Sequence, residues 1–181
     1  MVADKKNYFK FTLGLLLCLL VRLIPFRMPN VEPILATTMP FSRAYGAFVG
    51  FSFAVLSILL YDLLTRTLGI HTFFTTLAYG ILGVWSAFYF KKNKDDTWSY
   101  VRFAIIGTLF YDVLTGLTVG PMFFHQSFMS ALVGQIPFTL LHLVGNIVFA
   151  FILSPAIYSL LIKKRKIKTV STLNILNPKI I

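Results

Sequence analysis

Long apolar segments follow one another along almost the whole chain, separated by short polar or basic stretches. Three of these segments, at 44–61, 72–90 and 136–162, contain no Asp, Glu, Lys or Arg. A helix that crosses a bilayer needs about 20 mostly apolar residues, so segments of this length are typical of transmembrane helices. The pattern therefore predicts an all-α, polytopic membrane protein.

The same pattern divides into six predicted crossings, at 11–25, 31–43, 44–61, 72–90, 100–114 and 136–162. The second is short, because residues 31–40 alone would not span a bilayer at about 1.5 Å per residue. It either continues to Arg43 or lies partly re-entrant against other helices. Gln135 and Pro137 interrupt the last long apolar run, so residues 121–134 are predicted to form a short outer or re-entrant helix.

Composition and charge support this interpretation and add an orientation. The 181 residues are 57% hydrophobic and only 13% charged, whereas soluble domains carry about 25% charged residues. The net charge of +11 comes from basic clusters at segment ends, at 5–10, 91–102 and 163–168. Clusters in such places mark cytoplasmic ends and favour anionic lipid headgroups, so they do not indicate nucleic-acid binding. We therefore expect cytoplasmic termini, one transmembrane domain over 1–165 and a basic cytoplasmic tail over 166–181.

A five-residue signature occurs twice, as Tyr-Asp-Leu-Leu-Thr at 61–65 and as Tyr-Asp-Val-Leu-Thr at 111–115. Each copy follows an apolar segment with a glycine near its middle and precedes a Phe-Phe pair. The copies lie about fifty residues apart, and such repeats are typical of transporters built from paired halves. The chain is therefore predicted to contain a weak internal repeat, with Asp62 and Asp112 near the outer ends of two helices. The alternative is a short coincidence between two aromatic helix ends.

Few polar side chains fall in the predicted outer half of the bundle, where each is expensive to bury in lipid and therefore suggests a function. We expect them to line a substrate-binding pocket: Asn30, Glu32, Asp62, Asp112, His125, Gln126, Gln135, His142 and Asn146. His142 and Asn146 are four residues apart, so they share one face of a helix. Interhelical hydrogen bonding that only stabilises the bundle would explain this last pair equally well.

Sequence motifs of catalytic, metal and nucleotide sites are missing. There is no HExxH, CxxC or GxSxG motif and no P-loop, so no catalytic residue, metal site or cofactor is predicted, and the chain is not expected to be an enzyme. The single Cys18 cannot form a disulfide within the chain. Together with Gly14 it gives a small-xxx-small spacing, which lets another helix approach closely. This face of the first helix is suited either to binding a partner protein or to packing within the same protein.

Three features together resemble the substrate-binding S components of energy-coupling factor (ECF) transporters. They are Pro-Asn-Val-Glu-Pro-Ile at 29–34 after the first helix, Tyr-Asp at the outer ends of the third and fifth helices, and Gly-Gln-Ile-Pro-Phe-Thr-Leu-Leu-His at 134–142. The resemblance covers the chain from about Tyr8 to Lys163. It implies six transmembrane helices with cytoplasmic termini, in the cytoplasmic membrane of a prokaryote.

The same resemblance implies a function as the binding subunit of an ABC-type importer. Such subunits capture a vitamin or related micronutrient in a pocket open to the outside, and they work with a transmembrane coupling subunit and two ATPase subunits. Riboflavin-type members carry Pro-Phe-Asn-x-x-Lys where this chain has Pro-Phe-Thr-x-x-His at 137–142. His142 therefore stands where similar proteins place a ligand-contacting lysine, and the substrate stays open.

Two other classes of protein fit part of the pattern. A small structural membrane protein, similar to MreD of cell-shape complexes, would share the size, helix count and basic ends but would need no polar pocket. An intramembrane enzyme fits least, because no catalytic set is visible. Polar groups that converge on one outward cavity would favour the transporter subunit, and a packed apolar centre would favour the structural protein.

Overall fold

A computed structural model describes residues 5–26, 31–94 and 96–162, and this part of the chain is helical with no strand. The helices are α1 (Lys5–Arg22), α2 (Ile34–Tyr45), α3 (Ala47–Thr65), α4 (Ile70–Lys92), α5 (Thr97–Gly116), α6 (Val119–Phe123) and α7 (Phe128–Ile157), with a π-helical turn after α7 (Tyr158–Ile162). Four stretches are long and apolar enough to cross a membrane: Ala47–Thr65, Ile70–Lys92, Thr97–Phe123 and Phe128–Ile162. The chain is therefore an all-helical, multi-pass membrane protein. The predicted tail at 166–181 lies outside the described residues.

One end of the bundle gathers basic side chains from several helices. Lys10 of α1 donates a hydrogen bond from Nζ to the Ile162 carbonyl (3.4 Å), and Arg43 of α2 donates to the Lys94 carbonyl (3.3 Å). These contacts bring together the start of α1 and the ends of α2, α4 and the π-helical turn. We call this region the basic end, and it carries Lys5, Lys6, Lys10, Arg43, Lys91 and Lys92. Because the α2–α3 and α4–α5 connections are short, α1, α3 and α5 run away from this end and α2, α4 and α7 run back to it.

The short helix α2 lies at the centre of the bundle. Of the two options that the sequence left for this segment, the structure shows a continuous helix that extends past Arg43 to Tyr45. Every residue from 33 to 42 is buried, because α2 packs against α1, α3, α4, α5 and α7 at once. Its 12 residues are shorter than the about 20 of a full crossing. The centre of the bundle is therefore a helix that is surrounded by longer ones.

An aromatic core fills the half of the bundle nearest the basic end. The rings of Phe41 (α2) and Phe53 (α3) stack with centroids 4.7 Å apart, and Phe11 (α1) packs edge-on against both. Gly14 makes room for this stack, since a Cβ there would meet the Phe41 ring. Cys18, on the same face of α1, is fully buried. In this structure the face with Gly14 and Cys18 is therefore used for packing within the chain, the second of the two alternatives.

Gly14→Leu should destabilise the isolated protein, because the new side chain would occupy the position of the Phe41 ring. Overpacking of a well-packed core costs about 1–3 kcal/mol, so the midpoint of thermal unfolding in detergent should fall. Leu16→Ala is the control, since Leu16 is 52% exposed on α1 and its change should matter little. An unchanged midpoint for Gly14→Leu, combined with loss of a partner protein, would assign this face to docking.

The last long helix differs from the prediction. The sequence predicts a break at Gln135 and Pro137 with a separate piece over 121–134, but α7 runs without interruption from Phe128 to Ile157, and only the short α6 precedes it. A proline inside a helix removes one backbone N–H, and helices in a membrane tolerate this when neighbouring groups adjust. The predicted break is therefore wrong. With the π-helical turn the segment has 35 residues, which exceeds the about 20 needed for a crossing.

Candidate functional site

Two pairs of polar side chains join α5 to α7 inside the bundle. Asp112 lies four residues after Thr108 on α5, and Asn146 lies four residues after His142 on α7, so each pair shares one helix face. His142 Nδ1 is 2.7 Å from Asp112 Oδ1, and Asn146 donates from Nδ2 to Thr108 Oγ1 at 2.8 Å. All four side chains are buried. Together they form a ladder of two polar rungs, which we call the α5–α7 ladder.

Tyr79 of α4 extends the rung formed by Asp112 and His142. Its hydroxyl lies 3.4 Å from His142 Nε2. With Tyr79 as the donor, the neutral imidazole carries its proton on Nδ1 and donates it to Asp112 Oδ1. The Tyr79 and Tyr111 rings lie with centroids 4.6 Å apart, and the rings of Tyr111 and Phe138 both pack edge-on against His142. The imidazole is therefore held in one orientation by hydrogen bonds and by aromatic contacts.

The ladder leaves two hydrogen-bonding atoms unused. Asp112 Oδ2 and Asn146 Oδ1 are buried and have no hydrogen-bond partner in the part of the chain that the structure describes. Rotation of the Asn146 amide exchanges its nitrogen and its oxygen, whereas both oxygens of the Asp112 carboxylate are acceptors. A buried polar atom without a partner is unfavourable, and in a native protein it calls for an explanation. Asp112 is therefore the side chain with the clearest unused binding capacity.

A second polar cluster holds the end of α1 against α3. Arg22 donates from Nη1 to the Ser57 carbonyl at 2.7 Å, and its Nη2 lies 3.5 Å from Glu32 Oε1. Its guanidinium also lies over the Tyr61 ring, 3.7 Å from the centroid. A charged side chain within a membrane bundle needs such partners, and burial leaves Arg22 only 5% exposed. Glu32, a predicted site residue, is therefore engaged at least partly by Arg22.

The two clusters lie close enough to influence each other. Val31, the residue before Glu32, packs against α7 at Gly145, where an added Cβ would lie 3.1 Å from the Val31 Cα. Gly145 directly precedes Asn146, so this contact connects the second cluster to the ladder. The structure therefore brings four of the predicted site residues into one region: Glu32, Asp112, His142 and Asn146.

Asp62 is engaged at the turn between α3 and α4. Its Oδ2 accepts a hydrogen bond from Thr72 Oγ1 at 2.6 Å, and the same threonine oxygen accepts from the Gly69 N–H at 3.1 Å. The exposed His71 places Nε2 3.9 Å from the carboxylate. Short polar side chains often stabilise turns in this way. The hydrogen bonds of Asp62 thus serve the local connection and not the ladder.

The two copies of the five-residue signature share one local feature. In each copy the threonine hydroxyl donates to the tyrosine carbonyl four residues earlier, at 2.9 Å for Thr65 and 2.8 Å for Thr115. Both copies also end a long helix and place a buried aspartate there. The aspartates then differ, because one bonds to the following turn and the other to α7. A repeat that includes the flanking helices stays a prediction.

The remaining predicted site residues are spread more widely. His125 and Gln126 are exposed in the loop between α6 and α7, away from the hydrogen bonds of the ladder. Gln135 lies on α7 and, together with Asp112, lines a groove of about 270 Å³ between α5 and α7. Asn30 lies outside the described residues. A pocket lined by all nine residues stays a prediction.

The structure adds two residues that the sequence analysis did not select. Thr108 stands four residues before Asp112, as His142 stands before Asn146, so a search for polar pairs at this spacing on two helices would have found it. The sequence gives no such signal for Tyr79. A tyrosine has a large apolar ring, so its presence in an apolar segment does not by itself indicate a polar contact. Only the packing of α4 against α5 and α7 reveals its contact with His142.

The chemistry available here is hydrogen bonding and proton exchange by an imidazole and a carboxylate. Within residues 5–26, 31–94 and 96–162, no three His, Cys, Asp or Glu side chains are grouped so that they could hold a metal ion. Comparison with protein-family models, with curated proteins and with solved structures gives no match for this chain.

Proposed function

We propose that this protein is the membrane-embedded, substrate-binding subunit of an ECF-type importer, which captures a vitamin or related micronutrient from outside the cell. The observation that carries the proposal is the α5–α7 ladder, in which His142 is held by Tyr79 and Asp112 while Asp112 Oδ2 stays unused. Ionisable groups inside a membrane bundle are rare and often mark a substrate or proton pathway. His142 is also the residue that the resemblance aligns with a ligand contact.

The proposal includes six crossings, with both termini in the cytoplasm of a prokaryote. In this proposal α1 and the short, buried α2 count as crossings beside the four long apolar stretches, and the six helices alternate in direction. A shared basic end fits the cytoplasmic side, because basic residues are retained there. The ladder then lies in the outer half of the bundle. This position suits a site that is loaded from outside.

Cysteine labelling of intact cells tests this orientation. Leu68→Cys, in the turn between α3 and α4, should react with a membrane-impermeant maleimide, and Asn93→Cys, at the basic end, should stay protected until the cells are lysed. The native Cys18 is fully buried and should contribute little background. Labelling of Asn93→Cys in intact cells would reverse the orientation and remove the outward site from the proposal.

The energy for uptake comes from other subunits in this proposal, since the sequence has no P-loop. The partners are a transmembrane coupling subunit and two ATPase subunits. Because Gly14 and Cys18 pack within the chain, a contact through α1 would use the exposed side of that helix, with Leu16, Leu17 and Leu20. Substitutions on that side should weaken the assembly and leave the isolated protein stable.

Reconstitution into liposomes tests the function directly. The compound to use is identified first, by mass spectrometry of small molecules that co-purify with the wild-type protein and not with Asp112→Asn. Vesicles that contain this chain, the coupling subunit and both ATPases should then accumulate that compound against its gradient when ATP is supplied. Vesicles that lack any one component should not. Accumulation by this chain alone, or none by the full complex, would contradict the proposal.

A small structural membrane protein of a cell-shape complex, similar to MreD, is the second candidate. The packed aromatic core of Phe11, Phe41 and Phe53 favours it, because such a protein needs rigidity and no pocket. A structural role gives no reason for Asp112 Oδ2, which is buried and has no hydrogen-bond partner among the described residues. Deletion in the source organism separates the two candidates. Loss of cell shape with normal micronutrient uptake supports the structural protein, and normal shape with a new requirement for the micronutrient supports the importer.

A further inference from the structure

Asp112 has no Arg or Lys partner among the residues that the structure describes. Arg22 is positive, Glu32 and Asp112 are negative, and Arg22 pairs with Glu32. His142 Nδ1 lies 2.7 Å from Oδ1 of the Asp112 carboxylate, and Oδ2 has no hydrogen-bond partner among the described residues. An ionised carboxylate without a positive partner is strongly unfavourable away from water. A bound cation beside Asp112 would supply such a partner.

The unused oxygen belongs to a residue that lines a groove. Asp112 is only 1% exposed, its Oδ1 is occupied by His142, and its Oδ2 has no partner among the described residues. The groove between α5 and α7 has a volume of about 270 Å³ and apolar walls. Its other two polar residues, Gln135 and Thr139, are hydrogen-bonded to each other at 3.3 Å. The groove thus has apolar walls and is lined in part by Asp112, whose buried Oδ2 has no donor among the described residues.

We propose that this groove binds an organic cation with an apolar ring, whose N–H groups donate to Asp112 Oδ2. The inference rests on the proposed function and narrows its substrate class to cationic, ring-containing micronutrients. A cation supplies both a donor and a positive partner for the carboxylate, and a hydrogen bond between two charged groups is stronger than one between neutral groups. A neutral donor supplies only the hydrogen bond. An anion would add a second negative charge beside the carboxylate.

Three probes of one shape separate these cases: benzamidinium, benzamide and benzoate, which are positive, neutral and negative at neutral pH. Their dissociation constants are measured by ligand-observed NMR with the full-length protein in nanodiscs. Benzamidinium should bind at least tenfold more tightly than benzamide, and benzoate should not bind. Hydrogen bonds to charged groups contribute enough for about a ten- to a hundredfold effect. Asp112→Asn should remove the preference for the cation, while its amide oxygen can still accept the hydrogen bond from His142.

Asp62→Asn is the matched control, since Asp62 occupies the same position in the other copy of the signature and its carboxylate is engaged by Thr72. This variant should keep the preference of the wild-type protein for benzamidinium. Equal binding of benzamide and benzamidinium to the wild-type protein overturns the inference, and so does an unchanged preference in Asp112→Asn. The wild-type comparison needs no variant, so it stands even if Asp112→Asn does not fold.

The outcomes also separate this inference from the proposed function. If a neutral or anionic compound co-purifies and is accumulated by the full complex, the importer stands and the cationic substrate class is wrong. If benzamidinium binds through Asp112 while no complex with a coupling subunit supports uptake, the groove is a cation site and the importer is wrong.

Discussion

Gly83→Ala is expected to destabilise the bundle by about 3 kcal/mol, at the upper end of the usual effect of overpacking. A Cβ on Gly83 would lie against the backbone of Gly50, and 2.9 Å from the backbone nitrogen of Phe51. Backbone atoms cannot rotate away as the tip of a side chain can, so α3 and α4 would have to separate. Ser42 donates to the Gly83 carbonyl at 2.6 Å, so the separation would also disturb the buried helix α2.

Gly134→Ala is the matched control for this prediction, because it adds the same methyl group to another helix. A Cβ on Gly134 would meet no atom within 4 Å, and alanine favours a helix over glycine by about 0.8–1.0 kcal/mol. The midpoint of thermal unfolding, followed by tryptophan fluorescence in detergent, should fall for Gly83→Ala and stay equal or rise for Gly134→Ala. A fall of the same size in both variants would mean that the close approach of α3 and α4 is not the cause.

The apolar pattern predicts most of the helices, because charged or turn-forming residues bound each long apolar run. The predicted segments at 44–61, 72–90 and 100–114 correspond to α3, α4 and α5. Each of these helices ends a few residues later in the chain than the predicted segment. The basic clusters at 5–10 and 91–102 lie at one end of the bundle. This agrees with the sequence pattern, because an even number of predicted crossings separates the two clusters. These features depend on local composition, so a single sequence contains them.

Features that depend on tertiary packing could not be predicted in the same way. Pro137 interrupts the apolar run in sequence, yet α7 continues through it. A proline inside a membrane helix is tolerated where neighbouring groups form hydrogen bonds with the backbone groups that it leaves unpaired. The short segment at 34–45 gives no sign that it is the most enclosed helix. Its burial follows from five neighbouring helices, and the identity of those neighbours is not encoded in the segment itself.

The candidate site shows the same limit at the level of single residues. Asp62 and Asp112 stand in nearly identical five-residue signatures, and the sequence assigns them one role. In the structure Asp62 bonds to Thr72, ten residues away, whereas Asp112 bonds to His142, thirty residues away. The local pattern predicts that both carboxylates are buried at a helix end. The difference between a contact within a turn and a contact between two helices arises only from the packing of α5 against α7.

His142→Leu is the second change with a large expected effect, and its interpretation depends on that packing. Leucine keeps the helix and roughly the bulk, but it removes the only hydrogen-bond partner of Asp112 among the described residues. Removal of one partner leaves a buried acceptor unsatisfied, which is destabilising by about 1–3 kcal/mol and by more where that acceptor is charged. We therefore expect a large drop in the midpoint of thermal unfolding. Loss of ligand binding in this variant would then combine damage to the site with damage to the fold.

The double variant Asp112→Leu/His142→Leu separates the two effects. Replacement of both partners of a buried polar pair by apolar groups is often nearly neutral, because no unpaired charge remains. The double variant should therefore regain most of the stability that His142→Leu loses, with a coupling energy of about 2 kcal/mol or more between the two positions. It should nevertheless fail to bind benzamidinium, since the carboxylate is absent. If the double variant is as unstable as His142→Leu, Asp112 and His142 are not a coupled buried pair, and the assignment of the site to the α5–α7 ladder is wrong.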